Sequence, residues 1–214
     1  MSSLVLELQQ EIIKISSSLP DLLRKALVIA MKLNLKDFEN WIRNELFGYK
    51  DPESIPQYRE VYGSVKGFNN IQNRWNPVIF KGSPEIDELL SKRKIVSTIS
   101  EIENLVEKTK EDEGDTITVP FTKAIEHKIM ESASMDTPPA LIIPITQLIK
   151  IFDSVKSILL DWSLKLESEG ITGEGMTFNS EEINKASQFT YNFYDKVTNS
   201  QFNIDSKNSN MTNK

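Results

Sequence analysis

Leu19–Tyr49 reads LPDLLRKALVIAMKLNLKDFENWIRNELFGY, two amphipathic helical patterns separated by a short break. Pro20 suits the first turn of a helix, where its missing N–H is not needed and its fixed φ helps, and Ser18 stands near the cap. Leu22, Leu23, Ala26, Leu27, Ala30 and Leu33 then recur at spacings of three and four, the signature of one apolar helix face. Arg24, Lys25 and Lys32 fall between them and belong in water. Asn34 either ends this helix in a left-handed turn or caps the next one together with Asp37. The second helix carries Phe38, Trp41, Ile42, Leu46 and Tyr49 on one side, Glu39 and Arg43 four apart in the favourable order, and Gly48 as a stop. The stretch predicts an αα-hairpin forming half of a core.

Working outward, Leu4, Leu8, Ile12 and Ile15 predict a short helix before the hairpin, and Lys50–Gln57, with Pro52 and Pro56, predicts a loop after it. Tyr58–Phe68 alternates and is rich in β-branched and aromatic residues, a strand with Gly63 as its weak point. Asn69–Asn76 is turn-like, and Pro77–Phe80 is expected to pair back as a second strand. Ser83-Pro84-Glu85 signals a helix start. Its apolar face, Ile86, Leu89 and Leu90, passes to Ile95, Ile99, Ile102 and Val106 with a phase slip across Ser91–Lys94, read as a kink or as two helices. Glu107–Asp115 is expected to turn, Thr116–Pro120 to form a strand, and Phe121–Ala133 to be helical, with Ile125 and Ile129 inward. Thr137-Pro138-Pro139 breaks the chain, and Pro144 opens the longest helix, to about Glu169, with a stripe running from Leu148 to Leu166. After the glycine-rich Gly170–Gly175, Asn179 and Glu182 make a capping box for a last helix carrying Ile183, Ala186, Thr190, Phe193 and Val197. The polar residues from 198 on are expected to be disordered.

Composition removes several kinds of chemistry. The 214 residues carry a net charge of −6, which argues against broad electrostatic binding to nucleic acid or anionic membrane. With no cysteine there is no thiolate nucleophile and no Cys-ligated zinc, and one histidine cannot build a multi-His metal site. The N-terminus lacks the basic start and apolar run of a signal peptide, and no stretch reaches about 18 apolar residues, so no membrane span and a cytoplasmic location are expected. There is no Walker loop, dinucleotide fingerprint or nucleophile elbow.

Several segments in order, LLRKALVIAMKL (22–33), DFENWIRNELFGY (37–49), IPQYREVYGSVKGF (55–68), IFDSVKSILLDWSLKLESEG (151–170) and GEGMTFNSEE (173–182), are similar to the AbiTii domain family of bacterial abortive-infection proteins. Trp41, Glu45, Leu46, Gly48 and Tyr49 match its pattern most closely. The resemblance implies a role in antiphage defence, alone or beside an effector, and carries over no catalytic mechanism.

Among single residues, His127 lies between Glu126 and Lys128, but neighbours on a helix point about 100° apart and make no dyad. Asp153 and Asp161 would stand about 12 Å apart along a helix axis, too far to share one Mg²⁺. Arg74, Trp75, Lys81, Lys92, Arg93 and Lys94 form the densest basic-aromatic region and the candidate contact for a nucleic acid, by phosphate pairing and base stacking. Arg24, Asp37 and Glu45 are expected along the polar flank of the hairpin, and with Trp41 and Tyr49 they are the candidate partner-binding residues. The expected fold is mainly α, a helical bundle built on the N-terminal αα-hairpin and a long closing helix with a small antiparallel β element inserted. It divides into a helical domain over 1–170, a connection and amphipathic helix over 171–197, and a polar tail over 198–214. The expected role is antiphage defence by protein–protein contact without a catalytic site, metal or cofactor. The expected partners are a protein or effector of a defence system and a second copy of the chain, with no membrane. An effector that binds or cleaves nucleic acid is the competing reading.

Overall fold

The computed structural model describes residues 3–14, 16–80 and 84–186. Lys81, Ile15 and the expected helix positions Thr190, Phe193 and Val197 lie outside the described residues, as does the polar tail.

The architecture is mainly α with a small antiparallel sheet. Helix α1 (Leu4–Ile12) is started by the Ser3 side chain, which accepts from the Leu6 N–H, and it buries Leu4, Val5, Leu8 and Ile12. Helix α2 (Leu19–Lys32) has Pro20 in its first turn and ends before Asn34, which takes a left-handed φ of 58°. Helix α3 (Lys36–Phe47) follows without a side-chain cap and stops at Gly48, whose φ is 85°. A Cβ at Gly48 would also press on the Val96 carbonyl at 3.1 Å. Later in the chain come α4 (Pro84–Leu90), α5 (Ile99–Glu111), α6 (Lys123–Ala133) and α7 (Ile145–Ser168). Helices α1, α2, α5 and α7 pack on one another, and α2 also packs on α3. At their centre Phe38 stacks on Trp162 of α7 with ring centroids 4.1 Å apart, and on Trp41 at 5.0 Å.

The β structure is larger than the alternation in the sequence suggested. Strands β1 (Glu60–Tyr62) and β4 (Lys92–Lys94) pair as an antiparallel ribbon. Strands β2 (Ser64–Asn69), β3 (Arg74–Pro77), β5 (Thr116–Pro120) and β6 (Pro139–Pro144) form an antiparallel sheet in the order β3-β2-β6-β5. Gly63 marks the passage from one sheet to the other. A Cβ there would lie 2.5 Å from the Ile142 carbonyl oxygen, so only glycine lets β2 enter beside β6.

Four local expectations need correction. The second strand is Arg74–Pro77, not Pro77–Phe80, because the Asn69 carboxamide accepts from the N–H groups of Ile71 and Gln72 and turns the chain earlier. Of the two readings of Ser91–Lys94 the kink is excluded and two helices stand, α4 and α5, but with an unexpected strand between them. Lys92–Lys94 is drawn into a strand by β1, closed at its ends by Gly63 N–H to Ser91 O (2.8 Å) and Ile95 N–H to Arg59 O (2.9 Å). Helix α5 then restarts with a capping box between Thr98 and Glu101 and runs through Glu111, into the stretch expected to turn. The break at Thr137–Pro139 is the entry to β6, PALIIP, whose first five residues are all buried between β2 and β5.

Residues 171–186 run back against α1. The Val5 N–H reaches the Thr172 carbonyl, the Ser3 hydroxyl donates to the same oxygen, and Ile171 is fully buried. Asn179 and Glu182 form the expected reciprocal cap, at 2.9 Å each way, on a helical run over 180–186. The other Glu182 oxygen accepts from the N–H groups of Thr172 and Gly173.

Candidate functional site

Glu45 belongs to α3 but points away from solvent. Its carboxylate is 0% exposed, as is the Arg59 side chain beside it. One oxygen, Oε1, accepts from the Tyr49 hydroxyl (2.6 Å), the Tyr58 hydroxyl (2.6 Å) and Arg59 Nε (3.0 Å), and Oε2 accepts from an Arg59 terminal nitrogen at 2.5 Å. The other terminal nitrogen of Arg59 donates to the carbonyls of Ile95 and Ser97 (3.0 and 2.7 Å), and the guanidinium lies 4.8 Å from the Tyr49 ring centroid. Trp41 Nε1–H donates to the Tyr58 hydroxyl at 2.7 Å. This side-on pairing gives the buried charge a partner and spreads hydrogen bonds over both groups, which a desolvated ion pair requires. Burial and then the Glu45 charge push the Tyr49 and Tyr58 hydroxyls far above the usual phenol range. Burial pulls the Arg59 guanidinium down, but the Glu45 charge and hydrogen bonds outweigh it and hold its pKa above the ordinary value.

The polar-flank expectation is therefore corrected for one of its residues, Glu45, and two further candidate partner-binding residues are buried with it. Glu45, Trp41 and Tyr49 are interior, because Arg59 from the turn before β1 supplies a charge for Glu45 to meet and draws the aromatic groups around it. Arg24 and Asp37 do stand in solvent, Arg24 paired with Asp21 at 2.6 Å. Two residues of the network, Tyr58 and Arg59, were not singled out as site residues from the sequence. Fourteen positions separate Glu45 from Arg59, and no helical or strand period connects them. The available signal was an arginine between the apolar positions Ile55 and Val61, both buried.

The basic-aromatic residues divide between two sheets. Arg74 and Trp75 are exposed on β3, an edge strand, with Arg74 Nε donating to the Gln72 side chain and Trp75 set edge-on to Phe68 at 5.4 Å. Lys92, Arg93 and Lys94 are on β4 of the other sheet. Lys92 pairs with Glu88 at 3.5 Å, Lys94 Nζ reaches the Pro52 carbonyl at 3.4 Å, and Arg93 lies over the Phe121 ring at 5.6 Å. The β2–β3 hairpin borders an open groove of about 610 Å³ floored by Gly67, Phe68 and Met135 and edged by Asn69, Asn76 and Asp136. Two apolar side chains that line it stand in water, Ile71 at 97% exposed and Ile79 at 74%, and Trp75 on β3 is 37% exposed. A smaller cleft of about 430 Å³ lies between Tyr58, Glu60, Tyr62 and the α7 residues Gln147, Lys150 and Ser154. His127 is exposed on α6. Among the described residues no three His, Asp or Glu side chains gather where a metal ion could be held.

The model of the AbiTii family matches residues 3–191. The chain belongs to the AbiTii family. Neither the curated proteins nor the solved structures compared with it give a match. AbiTii membership points to abortive-infection defence. In this AbiTii chain four of the five residues that match the family pattern most closely, Trp41, Glu45, Gly48 and Tyr49, contribute to the joint that holds α3 to the segment around β1 and to the approach of α5, and the fifth, Leu46, packs half-buried on the core. Gly48 and Tyr49 are fixed there by the Tyr49 N–H, which donates to the Val96 carbonyl at 2.9 Å. Among the described residues no helix is long and apolar enough to cross a membrane.

Proposed function

We propose that this AbiTii protein serves abortive-infection defence by contact with another protein of the defence system, without chemistry of its own, and as a homo-oligomer in the cytoplasm. In this reading the α2–α3 hairpin and the closing helix α7 are the frame, and the Glu45–Arg59 joint holds the sheet on it. The observation that carries the reading is the rim of the β2–β3 hairpin. Ile71 and Ile79 keep apolar surface in water along one groove, and a clustered exposed patch of this kind marks contact sites more often than isolated exposed side chains do. The test is an Ile71→Asp/Ile79→Asp pair. Both side chains are largely exposed, so folding stability should stay within about 0.5 kcal/mol of the parent. Protection of cells against phage and co-purification of the partner should both be lost. Unchanged protection would overturn the assignment of the hairpin.

The second reading, an effector that engages nucleic acid, is favoured by one observation: Arg74 and Trp75 stand next to each other and exposed on an edge strand. Neighbours on a strand point to opposite faces, so the cation would meet a phosphate on one side of β3 and the indole a base on the other. It predicts a purified protein with a high 260/280 absorbance ratio that survives salt and falls with nuclease treatment, and Trp75→Ala should abolish that signal.

A further inference from the structure

Strand β5 is the outer strand of the four-stranded sheet, and no described strand pairs with its outer edge. The ladder to β6 places Thr116 opposite Pro144 and Thr118 opposite Ile142, and the Ile145 N–H donates to the Asp115 carbonyl at 2.9 Å. In an antiparallel ladder alternate residues bond to alternate sides, so Asp115, Ile117 and Val119 are committed to β6. Thr116 and Thr118 therefore direct their N–H and C=O groups outward, and Pro120 its carbonyl. Neither Thr116 nor Thr118 is charged, and the edge proline falls only at the last position, so the usual devices that blunt an edge strand are missing from its middle.

A second feature lies at the end of the same strand. Phe121 is buried and the Arg93 guanidinium is held over its ring at 5.6 Å. Arg93 makes no ion pair with a described residue, and its Nε is sealed from solvent without an acceptor. The opposite end of β5 is acidic: Glu111, Asp112, Glu113 and Asp115 lie in the five residues before Thr116, and Asp115 is exposed.

We propose that two copies of this chain join through β5, antiparallel about Thr118, to make one continuous eight-stranded sheet in which Asp115 of each copy meets Arg93 of the other. The register follows from complementarity. With Thr118 opposite itself, its N–H and C=O exchange bonds with their counterparts, and each Thr116 N–H reaches a Pro120 carbonyl. Ile117 then faces Val119 of the second copy on the covered side of the sheet. Asp115 falls opposite Phe121 on that same side, with side chains at the usual cross-strand spacing of about 5 Å, which brings its carboxylate to the guanidinium stacked there. Shifting the register by two residues, which keeps the same faces together, would put Glu113 in that place. Glu113 has a left-handed φ of 56° and stands outside the ladder, whereas the Asp115 carbonyl is fixed in it. The inference rests on the protein-contact reading and adds to it a second surface, remote in sequence from the β2–β3 hairpin, and a defined partner.

The pairing of so short a strand buries little area, so association should be concentration-dependent with a Kd on the order of micromolar. The chain has no cysteine, which makes the register directly testable. Thr118→Cys places two sulfurs at the two-fold axis with Cα atoms about 5.5 Å apart, within disulfide range. Thr116→Cys leaves its two sulfurs well over 7 Å apart, beyond that range. Light scattering on a size-exclusion column should show a dimer at high protein concentration, and mild oxidation should cross-link the Thr118→Cys protein at least tenfold faster than the Thr116→Cys protein. Asp115→Arg should weaken the dimer at least tenfold, and adding Arg93→Asp should restore it. A dimer with no preference for cross-linking at 118 would overturn the β5 edge and leave the protein-contact reading standing. A monomer at every concentration, with neither variant cross-linking, would overturn the proposal, whereas loss of phage protection in the hairpin variants tests the defence reading separately.

Discussion

Glu45→Gln removes one charge from the centre of the molecule while keeping its shape. In the parent the carboxylate receives the Tyr49 and Tyr58 hydroxyls and two Arg59 nitrogens, and the arginine is wholly buried. Glutamine can still accept at one oxygen, but its NH₂ would face the guanidinium nitrogen that now sits 2.5 Å from Oε2. Donor would oppose donor there, and the guanidinium, still bonded through Nε to the amide oxygen and to the Ile95 and Ser97 carbonyls, would lose its countercharge. Leaving one member of a buried ion pair without its partner costs about 3–5 kcal/mol. Domains of ordinary stability have about 5–15 kcal/mol in total. At about 2–4 °C per kcal/mol for a domain of this size, the melting temperature should fall by about 6–20 °C. Urea unfolding followed by the fluorescence of the core tryptophans Trp41 and Trp162 measures the loss directly. Replacing both groups, Glu45→Leu with Arg59→Met, should cost less than the sum of the single changes, since no lone charge remains. A loss below about 1 kcal/mol for Glu45→Gln, or simple additivity in the double variant, would refute the account of the joint.

Two further outcomes follow from the same packing. Tyr49 and Tyr58 have pKa values raised in the folded state, whereas the unfolded chain titrates near pH 10. The folded state then retains protons that the unfolded state releases, so their contribution is intact below about pH 10 and is lost as pH rises beyond it. Tyrosinate absorbance of these two groups should appear only together with unfolding at alkaline pH, and a Tyr49→Phe/Tyr58→Phe protein should lose that coupling. Gly63→Ala would drive a methyl group to 2.5 Å from the Ile142 carbonyl. It should destabilise the fold by more than about 2 kcal/mol, measured in the same urea titration, whereas Gly170→Ala, with nothing within 4 Å but a φ of 73°, should cost only about 1 kcal/mol.

The parts of the fold legible in the sequence are those with a local period or a local cap. The three-and-four spacing located the helices of the first and last thirds, Thr116–Pro120 showed its alternation, and Asn179 with Glu182 showed its reciprocal cap. Strand β6 was hidden because ALII between prolines reads equally well as the opening of the α7 stripe. A strand buried on both faces has no alternation to show. Strand β4 was hidden for a different reason. Lys-Arg-Lys has no strand signal of its own and takes the conformation its partner β1 dictates. The Glu45–Arg59 joint was illegible because its two halves come from separate elements. An acid on an amphipathic helix reads as wet until the chain that covers it is placed. Ile71 was easier to place, since Asn69–Asn76 is turn-like and the Asn69 side chain does turn the chain there, whereas Trp75 of the same stretch is on strand β3.

The bonds from Ser3 and Val5 to Thr172 have a consequence for the order in which the molecule can be made. Helix α1 leaves the ribosome first, yet the helix it lies against, α7, and the strip that seals its N-terminus emerge only after nearly all of the domain has been synthesised. At about 5–20 residues per second that interval is on the order of 10–30 seconds. During it, Leu4, Val5, Leu8 and Ile12 have α2 at hand but wait for the α7 side of the surface that will cover them. Helix α1 is thus among the first parts of the domain to be made and among the last to be locked.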